Sequence, residues 1–223
     1  MMTTNQEFKN AALRALKGNW TKAVLATIVV EIIAALVTGA ASLSETPIVE
    51  GNGMWGLTGG SFLLSILVLM PLIVGFNNTF KVLYLYSNNN IFSNTFYIGF
   101  RNYGRAIGGT ILVNIFTFLW TLLFVIPGII KGYSYALTPY ILVDDPNISV
   151  REAIRKSQKM MDGQKFNLFY LQLSFIGWFL LSLLTAGIGL FWLIPYYATS
   201  KAAFYCNLRN DLQVVEDSYT AIE

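Results

Sequence analysis

Few side chains in this sequence could do chemistry, and the most conspicuous stand where a bilayer would be. Glu31 is the only charged residue between Lys22 and Glu45. It lies 11 residues past Trp20, about 16 Å along a helix rising 1.5 Å per residue. An ionisable group at that depth is costly and calls for a partner or a water cavity. Thr27 and Thr38 share its helix face, and similar polar stripes recur at Asn114, Thr117, Thr121 and at Lys131, Ser134, Thr138. Turned to one interior, the three stripes would line a conduction or substrate path. Turned to neighbouring helices, they would be interhelical hydrogen-bond glue, with Glu31 protonated. Lys131 is the one cation candidate at membrane depth. In a six-span arrangement it stands about 12 Å above Glu31, which argues against a direct ion pair.

The acids elsewhere allow one further site. Asp144 and Asp145 are adjacent and followed by Pro146, and two carboxylates can hold a divalent cation with substrate phosphate. The competing reading is a turn leading into a helix capped by Ser149 and Glu152. With no histidine and one cysteine, Cys206, a His-based catalytic triad, a His-ligated metal centre and an internal disulfide are excluded. No metal or organic cofactor is expected. Residues 51–56 match the glycine pattern of dinucleotide-binding turns by letter, but no strand-helix-strand unit surrounds them.

These groups must be positioned by membrane helices. Only 27 of the 223 residues are charged, and residues 51–80, 106–130 and 166–200 carry no charge at all. A spanning helix needs about 20 apolar residues. The expected fold is therefore all-α, an integral membrane bundle within residues 1–206. Its six spans are 20–41, 61–80, 110–127, 129–143, 166–184 and 188–205, arranged as three hairpins. The second hairpin should turn at Pro127-Gly128 and the third at Thr185-Ala186-Gly187. Segment 129–143 is short for a span, about 22 Å, so it is expected either to tilt or to be partly re-entrant. The acidic tail 207–223 lacks a core and is expected to be disordered. Both termini then face the cytoplasm and 14 of the 15 basic residues lie inside, Lys131 being the exception. A cleaved signal peptide ending near Gly39-Ala40-Ala41 is the rival for the first span, and Glu31 inside its apolar region speaks against it.

A basic amphipathic stretch and a glycine precede each hairpin, at Gly18, Gly104 and Gly163. Thr4 with Glu7 and Ser149 with Glu152 are spaced as capping boxes. Lys9, Arg14 and Lys17 line one face of the first stretch, opposite Phe8, Ala12, Ala15 and Leu16. Arg151, Arg155, Lys156 and Lys159 line the third, opposite Ala153, Ile154, Ser157, Met160 and Met161. Such helices anchor on an anionic leaflet, so the expected partner is the lipid bilayer and its anionic headgroups. The middle stretch is aromatic, with Phe92, Phe96, Tyr97, Phe100 and Tyr103. Gly128 with Gly132, and Gly104 with Gly108, are spaced for close helix contacts. Tyr133, Tyr135, Tyr140, Tyr196 and Tyr197 fit interfacial belts.

The run IPGIIKGYSYALTPYILVDDP, the AI..S..MM.G.KF pattern from Ala153 to Phe166, and LSFIGWFLLSLLTAGIGLFWLIPYYATSKAAFY resemble the small bacterial membrane proteins grouped as domain of unknown function family 975. The resemblance covers 126–205 strongly and the ALRALKGNW region more loosely. More distantly, the chain is similar to membrane domains fused to some glycerophosphodiester phosphodiesterases. The family resemblance implies a bacterial cytoplasmic membrane and a multi-pass fold, and it carries no catalytic residue over.

Three functions compete on this reading. The first is a non-enzymatic membrane protein that organises lipids or assists a membrane partner complex. The second is a small transporter or channel built on Glu31 and the polar stripes. The third is a lipid-modifying enzyme resting on Asp144, Asp145 and Glu152. Nucleic acid is not implied by a net charge of +3 that reflects the inner loops.

Overall fold

The computed structural model describes residues 4–43, 54–87, 90–101 and 103–220, with side chains over 4–38, 66–87, 90–101 and 103–210. Most of the loop expected after the first span therefore lies outside the described residues, as do the first three glycine-pattern positions. Among the described residues the chain is helical throughout: α1 (Asn5–Leu16), α2 (Trp20–Leu43), α3 (Met54–Tyr86), α4 (Ile91–Arg101), α5 (Tyr103–Leu123), α6 (Val125–Tyr135), α7 (Thr138–Asp144), α8 (Val150–Met160), α9 (Lys165–Leu173), α10 (Ile176–Leu184) and α11 (Leu190–Thr220). Among the described residues four stretches are long and apolar enough to cross a membrane: Trp20–Thr38, Ile66–Tyr86, Tyr103–Leu123 and Lys165–Leu184. Six were expected.

The two missing stretches fail for visible reasons. Segment 129–143 is split between α6 and α7, with Pro139 in the first turn of α7. Proline has no N–H and its ring clashes with the carbonyl four residues back, so a continuous helix ends before it. Segment 188–205 belongs to α11, which runs on to Thr220, and Tyr196, Tyr197, Thr199, Ser200 and Lys201 make it too polar for a hydrocarbon span. No glycine or proline follows Pro195 in that helix to stop it.

Both expected capping boxes form: Thr4 and Ser149 accept from the N–H groups of Glu7 and Glu152, whose carboxylates reach back to the cap N–H groups. Gly18 and Gly163 take φ of +82° and +70°, which other residues rarely adopt, and so end the turns after α1 and α8. Gly104 lies inside α5 instead. The second hairpin turns at Phe124 rather than at Pro127-Gly128. Pro127 sits in the first turn of α6, where a missing N–H costs nothing.

Among the described residues the core has two clusters. Leu137, Tyr140, Ile141, Met161, Leu168 and Leu171 meet Ala202–Cys206 of α11 in one, and Leu16, Ala23, Phe76, Phe80 and Leu83 form the other. Helix α1 packs Phe8, Ala11, Ala12 and Leu16 into the protein, with the Phe8 and Phe204 rings 5.4 Å apart. Helix α8 buries Ala153, Ile154, Ser157, Met160 and Met161. The apolar faces expected to lie on lipid are therefore covered by the protein itself, and the basic faces remain outside except at Lys9. Helix α4 crosses α3 at Gly75 and Gly99, where an added Cβ would run into the Thr95 and Pro71 carbonyls.

Candidate functional site

A polar cluster surrounds Asp144. Its helix stops here because Pro146 disfavours helical geometry at Asp145, which is extended (φ −118°, ψ 98°). The two adjacent acids then part. Asp145 Oδ1 accepts from the N–H groups of Asn147 (2.9 Å) and Ile148 (3.2 Å), an Asx turn. Asp144 turns inward, pairing with Lys81 Nζ and accepting from Tyr205 OH (2.6 Å) and Arg209 Nη1 (2.9 Å). Lys81 is 3% exposed and lies 5.7 Å from the Tyr205 ring centroid, and that ring stacks on Tyr140 at 5.0 Å.

Burial lowers Arg209, but its acidic neighbours together, Asp144 foremost with Tyr205 and Cys206, outweigh burial and hold the guanidinium above its ordinary value. Burial pushes the nearby Cys206 thiol up to about 11, so it stays protonated and unreactive at neutral pH. Glu152 is occupied in its cap. The hydrogen bond to Ser149 lowers its carboxyl below the usual range. The three acids of the enzyme reading thus hold three separate places. No group of three or more metal-ligating side chains occurs among the described residues.

Two cations serve loop and helix breaks. Arg105 donates to the carbonyls of Asp145 (3.0 Å), Pro146 and Ile148. Lys9, placed on the exposed basic face from sequence, is instead buried. Its Nζ donates to Ser174 O (2.8 Å) and lies 4.5 Å from the Phe175 centroid. The break between α9 and α10 frees that carbonyl, and a buried cation satisfies it. The remaining basic candidates, Arg14, Lys17, Arg151, Arg155, Lys156 and Lys159, are exposed.

The α5 stripe lies against α6, where Gly128 and Gly132 face Thr121 and Thr117. Glu31 is exposed on α2. Asn114 and Thr121 are exposed on α5, Thr117 is half-buried there, and the Thr121 hydroxyl donates to the Thr117 carbonyl. Lys131 lies 4.9 Å from the Trp120 centroid. Ser134 is buried and its carbonyl accepts from the Ser157 hydroxyl of α8. Thr138 is buried with its hydroxyl unpaired.

A second feature left no mark in the pattern of charges. A cavity of about 410 Å³ opens between α1, the start of α2 and the α10–α11 turn, lined by Leu13, Trp20, Trp178, Ser182, Trp192 and Tyr196. Its walls are almost wholly apolar, and that volume lies in the range of small-ligand pockets. Lys81, Arg105, Tyr205 and Arg209 were likewise missed. Lys81 and Arg105 carried a signal, each standing at the end of a charge-free run. A family model described as "Protein of unknown function (DUF975)" matches residues 59–211. No curated protein and no solved structure matches the chain.

Proposed function

The chain belongs to the DUF975 family, and from that premise we propose that it is a non-enzymatic, multi-pass protein of the bacterial cytoplasmic membrane that binds and organises lipid. Its three hairpins are α2–α3, α5 with α6–α7, and α9–α10 with α11, entering from the cytoplasmic face where both termini lie. The observation that carries the reading is the tryptophan-lined cavity. An apolar chamber walled in part by amphipathic rings suits an acyl chain whose headgroup stays at the interface. Arg14 and Lys17 lie on α1, which also supplies Leu13 to the cavity wall, so an anionic headgroup has exposed cations on the same helix. The acids near Asp144 support architecture, since each already holds a hydrogen-bond or ionic partner.

Native mass spectrometry of the protein released gently from its own membrane tests this. A retained anionic phospholipid is expected, and Leu13→Trp, which fills the cavity, should reduce its occupancy. A stoichiometric protein companion with no retained lipid would overturn the reading. So would lipid retention unchanged by Leu13→Trp.

A further inference from the structure

The C-terminal two hairpins are too short, above the level where α2 starts, to reach the far side of a bilayer. Trp20 at the start of α2 lies beside Tyr196 of α11 (ring centroids 6.4 Å apart), and Tyr196 lies beside Phe175 at the α9–α10 break (5.0 Å). The same level continues through Tyr197 OH, which accepts from Gln172 (2.6 Å), and through Gln172, which accepts from Tyr133 of α6. Lys131 over Trp120 lies just beyond it. Aromatic and cationic side chains in one layer are the mark of a membrane interface.

Beyond that layer α2 continues to Leu43, about 35 Å, enough to cross the roughly 30 Å hydrocarbon core. From Phe175 to the turn at Thr185 is only about 15 Å, and from Tyr133 to the turn at Phe124 about 14 Å. Both turns therefore stop near the midplane. Their side chains are apolar and outward: Leu122, Phe124 and Ile126 are 73%, 66% and 71% exposed, and Leu184 and Ile188 are 84% and 59% exposed. No charge occurs in 106–130 or 166–200.

The turn backbones are closed on themselves as hydrocarbon requires. Gly187 N–H donates to the Ser182 carbonyl (3.0 Å) and Ala186 N–H to that of Leu183 (3.1 Å), a Schellman pair, while Gly189 N–H donates to the Thr185 hydroxyl (3.1 Å). At the other turn Phe124 N–H donates to the Trp120 carbonyl (3.0 Å) and Gly128 N–H to that of Phe124 (3.1 Å).

We propose that the α5–α6 and α10–α11 hairpins are re-entrant, inserting into the acyl chains of the leaflet on the basic side and returning, so that only α2 and α3 cross. This places all 15 Lys and Arg on one side, because none lies between Lys22 and Lys81. Lys131, stranded outside by six crossings, joins the others. The two tips then wedge apart the chains of one leaflet alone. The inference rests on the membrane reading above but not on lipid in the cavity.

The test uses single cysteines in a Cys206→Ala background of the full chain, at the tips (Leu122→Cys, Leu184→Cys), in the loop before α3 (Asn52→Cys) and on α8 (Ser157→Cys, with Arg155→Cys as the exposed alternative on the same helix). A membrane-impermeant maleimide should label Asn52→Cys from one face and the α8 cysteine from the other, and the tips from neither. In proteoliposomes, a fluorophore at either tip should be quenched most by spin labels near the acyl-chain ends. Labelling of either tip from the Asn52 face would overturn the proposal, as would labelling from the α8 face. Quenching is read on the folded protein, so a tip fluorophore quenched most by headgroup spin labels would also overturn it. Labelling of Asn52→Cys and the α8 cysteine from the same face would sink the crossing of α2 and α3, and the proposed function with it, whatever the tips do.

Discussion

The base of the molecule around Asp144 and the two hairpin tips are built from the same kinds of helix but turned inside out. At the base, Leu168 and Leu171 are fully buried while Arg151, Arg155 and Lys156 face outward. At the tips, Leu184 and Leu122 face outward, and the polar Ser182 is buried with its hydroxyl bonded to the Trp178 carbonyl (2.8 Å). The base has the sidedness of a protein in water, where apolar burial drives packing. The tips have the sidedness of one in hydrocarbon, where exposed apolar groups cost nothing and backbone polar groups must be closed internally.

Removing the carboxylate at the base should break this comparison hardest. Asp144→Ala leaves Lys81 buried without its counter-charge, and unfolding in detergent should show a loss of about 3–5 kcal/mol. A matched pair of leucines sharpens it next. Leu168→Ala should cost about 2–5 kcal/mol as a buried deletion, and Leu184→Ala less than about 0.5 kcal/mol as an exposed one. Equal losses at the two positions would mean that the tip is packed against something and would remove the contrast. Ser149→Ala, which deletes the cap of α8, should cost about 1 kcal/mol.

The smallest effect is a titration of that same cap. The Glu152 carboxyl is lowered in the folded state, so its contribution is present above its unfolded value and is lost as pH falls through the folded one. Glu152→Gln should flatten the acid limb of the stability curve, and an unchanged limb would show that the box does not titrate as a unit.

What could be read in advance was local. The capping boxes at Thr4 and Ser149 and the glycine stops at Gly18 and Gly163 depend on neighbours three or four residues away, and they stand where expected. The third hairpin turn also stands at Thr185-Ala186-Gly187, although only one of its two positive-φ residues is a glycine, Ala186 taking +50° and Gly187 +84°. The second was misplaced by three residues, since proline is as welcome just after a helix start as before one. Lys9 misled for a different reason. Its helical face is the basic one by periodicity, but the carbonyl it satisfies lies 165 residues away, at a break that hydropathy does not reveal.

By itself the sequence determined that the chain is helical and apolar, and where α1, α2 and α8 start, because charge-free runs and cap residues act over one or two turns. Only the tertiary structure decided that Asp144 pairs with Lys81 and Arg209 while Asp145 closes a turn, and that Thr121 and Thr117 of α5 lie against Gly128 and Gly132 of α6. Hydropathy measures what each segment could lie in. How far it reaches depends on which residues stand at the same level, as Trp20, Phe175 and Tyr196 do, and contacts between segments so distant in sequence leave no periodic trace in any one of them.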